Sequence, residues 1–481
     1  MKSLLKLRLL SCALLLSACG GGGDGGQAGA GGSGPAGAGG GGGSAAAGTG
    51  GGAAGASAGA GGSSTGGASG GGGAATGGSG GGGTVGRGGA AGGGAAGTAG
   101  AAGRGGAGGG VAGAAGRGGV GGSAGAAGGA SGAGGEVVVY VSGASSTISI
   151  FALDLTTGTL TPRGTAAGGT SPTYLAFNPS SRFLYAGNGG QGRITSFRID
   201  AGGALTSLGD VSTAGMVGSM SYMASVTHVS VHPTGNWVMA AHFDSGHVTV
   251  SPVLMTGAVA APVDVKRPAN EAHQIISDAS GRYVFVPCRS GNVIAQYQFD
   301  SASGRLAAAV PPTVAAASGA GPRHMAFHPS QRYAYVINEL NGTTTSYLFD
   351  SATGLLSMPQ AVSNVPAGVN ETSSAHIVVH PTGTFVYGAN RTHNSIVMFR
   401  VDGTTGRLTS IGNETGGGMV RTPRDFGMDP TGRYLLVANQ GTSTVIVFRI
   451  NTTDGTLTRV GDPVTVPSMP QFAGALTLPA P

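Results

Sequence analysis

The sequence predicts an all-β fold, a seven-bladed β-propeller, and two observations carry that expectation. A short apolar strand runs into a turn of the type His-Pro-Thr-Gly-Arg-Tyr and out into a second strand. Copies of that unit begin at Asn178, His232, Asp278, His328, His380 and Asp429, at spacings of 54, 46, 50, 52 and 49 residues. A period near fifty with strand-like content marks a radial array of β-sheets. The 346 residues from Glu136 to Pro481 also divide into seven such units, with no segment of helical periodicity among them.

Before the repeats come two segments set apart from the fold. Residues 1–19 read as a signal peptide of lipoprotein type: Lys2, Lys6 and Arg8 are basic, and Leu9 to Leu16 are mostly apolar. Leu16-Ser17-Ala18-Cys19-Gly20 follows and resembles the bacterial lipobox, whose cysteine is acylated. The resemblance implies a lipid on Cys19 as the one membrane attachment, because the apolar run is too short to span a bilayer. Gly20 stands where an aspartate often marks inner-membrane retention, so export and anchoring at the outer membrane are expected. Residues 20–135 are almost wholly Gly, Ala, Ser and Thr. Such a stretch buries too little apolar surface to offset its ordering entropy, so a disordered tether is expected.

Each later unit reads strand, turn, strand, loop, strand, turn, strand. In the sixth, Asp425-Phe-Gly-Met leads into Asp429-Pro-Thr-Gly-Arg433, then Tyr434-Leu-Leu-Val-Ala-Asn439 and Thr444-Val-Ile-Val-Phe-Arg-Ile450. β-Branched runs bounded by Pro, Gly, Asn and Asp are strands joined by tight turns. Four antiparallel strands per fifty residues describe a propeller blade. The seventh unit is split between the ends of the domain. Val137–Ser142 and Thr147–Phe151 match second and third strands, and Pro470–Thr477 supplies the missing first one. Their union closes the ring and removes two exposed sheet edges. The domain is therefore set at 136–481.

Charge excludes one class of function. Six of the 25 basic residues and one of the 19 acidic residues precede Glu136, which leaves 19 against 18 in the domain. A nearly neutral domain has no electrostatic footprint for nucleic acid. Cys288 is the one cysteine past the leader and reads as packing, so neither a disulfide nor a cysteine-based zinc site is expected. No carboxylate cluster has ligand spacing, so no metal and no cofactor are expected.

The repeat also serves as an internal alignment. The turn residue itself is Asn, His or Asp in every copy, which fits a side chain that caps the turn. Five residues before it stand Thr173, Thr227, His273, Arg323, Ala375 and Arg424. Eleven residues after it stand Gly189, Phe243, Arg289, Glu339, Arg391 and Gln440. In an antiparallel pair these two positions share one rim, facing the central channel. His273, Arg289, Arg323, Glu339 and Arg391 thus converge from three adjacent blades on one mouth. Arginines around an imidazole and a carboxylate suit an anionic substrate and a developing oxyanion. His273 or Glu339 can take a proton from water while the other protonates the leaving alkoxide. That chemistry fits hydrolysis or closure of a lactone ring.

At these residues the chain resembles the seven-bladed propeller lactonases, which include bacterial 6-phosphogluconolactonases and the fungal carboxy-muconate cyclase. The matching stretches are Gly321-Pro-Arg-His-Met-Ala-Phe-His-Pro329, Tyr335-Val-Ile-Asn-Glu-Leu340, Tyr387-Gly-Ala-Asn-Arg391 and Thr422-Pro-Arg-Asp-Phe426 with Leu436-Val-Ala-Asn-Gln440. The resemblance implies a catalytic set of His273, Arg323, Glu339 and Arg391; Arg289 and Arg424, at the same two repeat positions, are expected to bind substrate. Pro287-Cys-Arg-Ser-Gly-Asn292 replaces the family's acidic third-blade loop, so an altered substrate pocket is expected. The fifth-blade strand reads Ser374-Ala-His-Ile, where family members often have a Glu. The expected function is a lactonase-like hydrolase acting as a monomer on a small sugar lactone or related acid. A non-catalytic propeller binding a glycan, peptide or protein through its rim is the alternative.

Overall fold

A computed structural model describes residues 135–479, except 218–219, 223–224 and 468. The leader, Cys19 and all but the last residue of the Gly-rich segment lie outside the described residues. The rest forms seven four-stranded antiparallel sheets and one short two-stranded hairpin. Blade 4 shows the pattern: Pro322–Phe327 innermost, then Tyr333–Asn338, Thr343–Asp350 and Leu355–Ser363 outermost. Numbering by turn residue, blades 1 to 6 follow Asn178 to Asp429, and blade 7 is the split one.

Ring closure is as the sequence predicts. Pro470–Thr477 pairs antiparallel with Val137–Gly143, Val138 opposite Leu476 and Val141 opposite Ala473. Thr147–Leu153 and Leu160–Ala167 complete that blade. The apolar core lies between the faces of adjacent blades. Tyr333, Tyr335 and Ile337 of blade 4, for example, pack with Ile377, Val386 and Phe399 of blade 5. Alternating faces of twisted strands send side chains to both neighbours, so every blade is apolar on two sides.

The repeated turn does more than cap itself. His328 Nδ1 lies 2.7 Å from Ser330 Oγ, and its Nε2 lies 3.0 Å from the Gly383 carbonyl of the next blade. His232 reaches Gly281 O at 2.8 Å and His380 reaches Gly432 O at 2.9 Å in the same way. A carbonyl only accepts, so Nε2 carries the proton and Nδ1 accepts from the turn. Gly383 has φ 77°, and a Cβ there would sit 2.3 Å from His328 Nε2. The glycine therefore serves both its own left-handed turn and the neighbouring imidazole.

Blade 3 departs from the regular pattern. Its innermost strand shortens to Ile276–Ser277, with an isolated bridge between Ala272 and Cys288. Gln274 Oε1 accepts the backbone N–H of Met325 at 2.6 Å, tying the frayed segment to blade 4. The hairpin of Gly215–Val217 and Met220–Tyr222 precedes blade 2 and was not legible in the repeat.

Candidate active site

The innermost strands start at one rim, and the second strands end there, as the repeat alignment requires. Between them lies a cavity of about 500 Å³, within the size range of small-molecule sites. His273, Arg289, Arg323, Glu339, Arg391 and Arg424 all line it. All six residues singled out by sequence thus face one cavity.

Glu339 is the hub. Its Oε1 accepts a hydrogen bond from Arg289 Nη1 at 2.7 Å and lies 3.0 Å from Arg391 Nη2. Its Oε2 lies 3.0 Å from Arg323 Nε. Each arginine has a further anchor. Arg289 Nε donates to Glu271 Oε2 at 2.8 Å, Arg391 Nε donates to Ser373 O at 2.9 Å, and Arg323 Nη1 donates to Ala375 O. Burial alone would raise the Glu339 carboxyl, but Arg323, Arg391 and Arg289 together outweigh it and hold it below the usual range. A carboxylate so clamped suits alignment of guanidiniums better than release of a proton.

His273 is buried, and its Nδ1 finds no hydrogen-bond partner in another residue among the described ones. Burial, then the charges of Arg323, Arg424 and Arg391, push its pKa well below 6.5. Both effects penalise the imidazolium, so His273 is a neutral base at pH ~7. Phe243 meets the His273 ring edge-on at 5.4 Å between centroids. The Phe243 ring centroid lies 4.8 Å from the Arg289 guanidinium carbon, a cation–π contact. Arg424 is pulled down to about 10 by burial and then by Arg391. Cys288 is packing: burial pushes its thiol up to about 12.

Sequence reasoning missed a second layer below these residues. Four positions before the turn stand Tyr174, His228, Gln274, His324, His376 and Asp425, all polar in strands otherwise apolar. That row was the available signal. His228 and His324 rings lie 5.5 Å apart, His324 and His273 5.1 Å, and His324 and His376 5.1 Å. Asp425 sits beside His376, and the Tyr174 ring lies tilted against His228 at 4.2 Å between centroids. A β-bulge at Pro322/His324 and again at Pro423/Asp425 lets consecutive residues face the channel.

Comparison with known proteins agrees with this architecture. A family profile described as lactonase, 7-bladed beta-propeller, matches residues 136–472. A 6-phosphogluconolactonase of Pectobacterium carotovorum is 33% identical over 297 residues, covering 61% of this chain and 85% of the relative. One from Serratia proteamaculans is 31% identical over 256 residues, covering 53% and 73%. The solved periplasmic gluconolactonase of Pseudomonas aeruginosa superposes with a TM-score of 0.65 at 26% identity. That match spans 72% of this chain and 100% of the other.

Proposed function

Because the chain belongs to the family of seven-bladed β-propeller lactonases, we propose that it hydrolyses a sugar lactone or related acid lactone at the arginine-caged carboxylate. The observation that carries this reading is a neutral His273, whose Nδ1 meets no other residue's donor or acceptor among the described residues, in the same cavity as four arginines and Glu339. In this scheme His273 takes a proton from water as the water oxygen attacks the lactone carbonyl. The oxyanion forms against Arg391 and Arg323, whose donors are already aligned by Glu339. Collapse of the tetrahedral intermediate breaks the ring C–O bond, and the departing alkoxide recovers the proton from His273. The product is a hydroxy acid whose carboxylate pairs with Arg289 or Arg424. Glu339 acts here by positioning, in place of the proton-transfer role that sequence left open to it.

The reading extends to location and state: an exported monomer, lipid-anchored at Cys19, probing no nucleic acid. The leader sequence supports export, as does the periplasmic location of the Pseudomonas aeruginosa relative. A panel of aldono- and phospho-lactones assayed with wild type, His273→Gln and Glu339→Gln tests the chemistry. Turnover that drops in both variants is expected. No turnover on any lactone, with the variants behaving as wild type, overturns the reading in favour of a rim that only binds.

A further inference from the structure

Below the arginine cage, His324, His376 and Asp425 come from the innermost strands of blades 4, 5 and 6. One ligand atom from each lies within 4.8 Å of the others. The residues are 2%, 1% and 1% exposed. His324 Nδ1 and His376 Nδ1 stand 2.8 Å apart, and His376 Nδ1 is 3.2 Å from Asp425 Oδ2.

Hydrogen bonding alone satisfies this arrangement poorly. His376 Nδ1 carries either one proton or one lone pair, yet it faces two partners. With a proton it must divide that proton between His324 Nδ1 and Asp425 Oδ2. With a lone pair it must accept twice. Asp425 is buried, and its near partners are His376 and the backbone of Ala473. A buried carboxylate is costly unless it is fully paired. Three lone-pair atoms converging on one buried point are what a cation satisfies, and two imidazoles with one carboxylate form a recognised donor set.

We propose that His324, His376 and Asp425 bind one divalent transition-metal ion of the zinc type. Zinc–nitrogen bonds of about 2.0–2.1 Å in tetrahedral geometry separate two ligand nitrogens by roughly 3.3 Å. The imidazoles reach that spacing by moving apart by about half an ångström. His324 and Asp425 also line the cavity, so the remaining coordination position opens toward a bound anionic ligand. The two imidazoles select for metals of the zinc type over Mg²⁺ or Ca²⁺, which prefer oxygen ligands. The metal site does not depend on the lactonase reading, and either can fail without the other.

The test uses the untagged full chain, stripped with chelator and titrated with Zn²⁺ by calorimetry and with Co²⁺ by visible absorption. One ion per chain is expected, with affinity falling at least tenfold in His376→Gln and in Asp425→Asn. X-ray absorption at the zinc edge of the wild-type protein reads the ligand set without any variant. Two imidazole nitrogens in the first shell support the site even if a variant fails to fold. Absence of binding by wild type, unchanged affinity in folded variants, or a shell without paired imidazoles overturns it.

Discussion

His273 gains its chemical character from what surrounds it. An exposed histidine changes charge near pH ~6.5, whereas burial and three arginines keep this one neutral well below that value. A rate that depends on its base form therefore stays level as pH falls from about 8 to about 6, and declines only in more acid solution. A pH–rate profile that halves near pH ~6.5 would remove His273 from the role. Replacing it with Gln keeps the size and loses the base, so kcat falls by roughly 10²–10⁴ while KM changes little. Glu339→Gln has a different signature. It leaves Arg323, Arg391 and Arg289 converging on an uncharged amide, and breaking a buried pair of this kind costs about 3–5 kcal/mol. Urea unfolding should show that loss together with reduced turnover; full stability would mean that the cage does not depend on its carboxylate. The six cavity residues were legible in the sequence because the repeat supplies its own alignment. The row of Tyr174, His228, His324, His376 and Asp425 was equally periodic. It was passed over because a polar residue inside a strand reads as a partnered core group until bulges are seen to turn it into the channel.

At the scale of the element, the repeating turn couples neighbours as well as reversing the chain. Its histidine donates to a glycine carbonyl one blade on, and that glycine must be free of a Cβ both for its φ and for the imbricated ring. Sequence shows the His-Pro-Thr-Gly pattern but not that its first and fourth positions meet across blades, since the contact is 55 residues long. Gly383→Ala should cost about 1–3 kcal/mol from backbone strain alone. Part of the added cost of the clash should return when His328→Ala is combined with it. Urea midpoints for the two single variants and the double measure this, and strict additivity would show that the two residues do not touch. These turn histidines also impose a pH dependence. Burial lowers His232, His328 and His380, against the raising effect of the glycine carbonyl each one meets. Their folded pKa values lie below the unfolded one, so the unfolded chain takes up more protons as pH falls through ~6.5. Stability should therefore be full above that value and decline as pH falls below about 6.5.

The whole molecule depends on one seam. Six blades are built from contiguous chain, but blade 7 draws its innermost strand, Pro470–Thr477, from the far end of the domain. Phe472, Ala473, Ala475 and Leu476 are buried there, and Phe472 packs on Tyr174 beside the cavity at 5.0 Å between centroids. Gln471 of the same strand lines the cavity, so ring closure and site integrity share residues. Ending the chain after Val466 should expose the Val137–Gly143 edge and the apolar faces that the strand covered. Burial of Phe472 alone is worth roughly 1.5–3 kcal/mol, and an unpaired strand edge invites association between chains. The truncated protein is expected to aggregate at concentrations where the intact chain is monodisperse by light scattering, and to lose lactone turnover. A peptide spanning 467–479, added during refolding, should restore both in part, because the gap it fills is one strand wide. If the truncated chain instead unfolds with the cooperativity of the intact one and keeps its activity, the seam is ornamental and the six contiguous blades hold the ring by themselves.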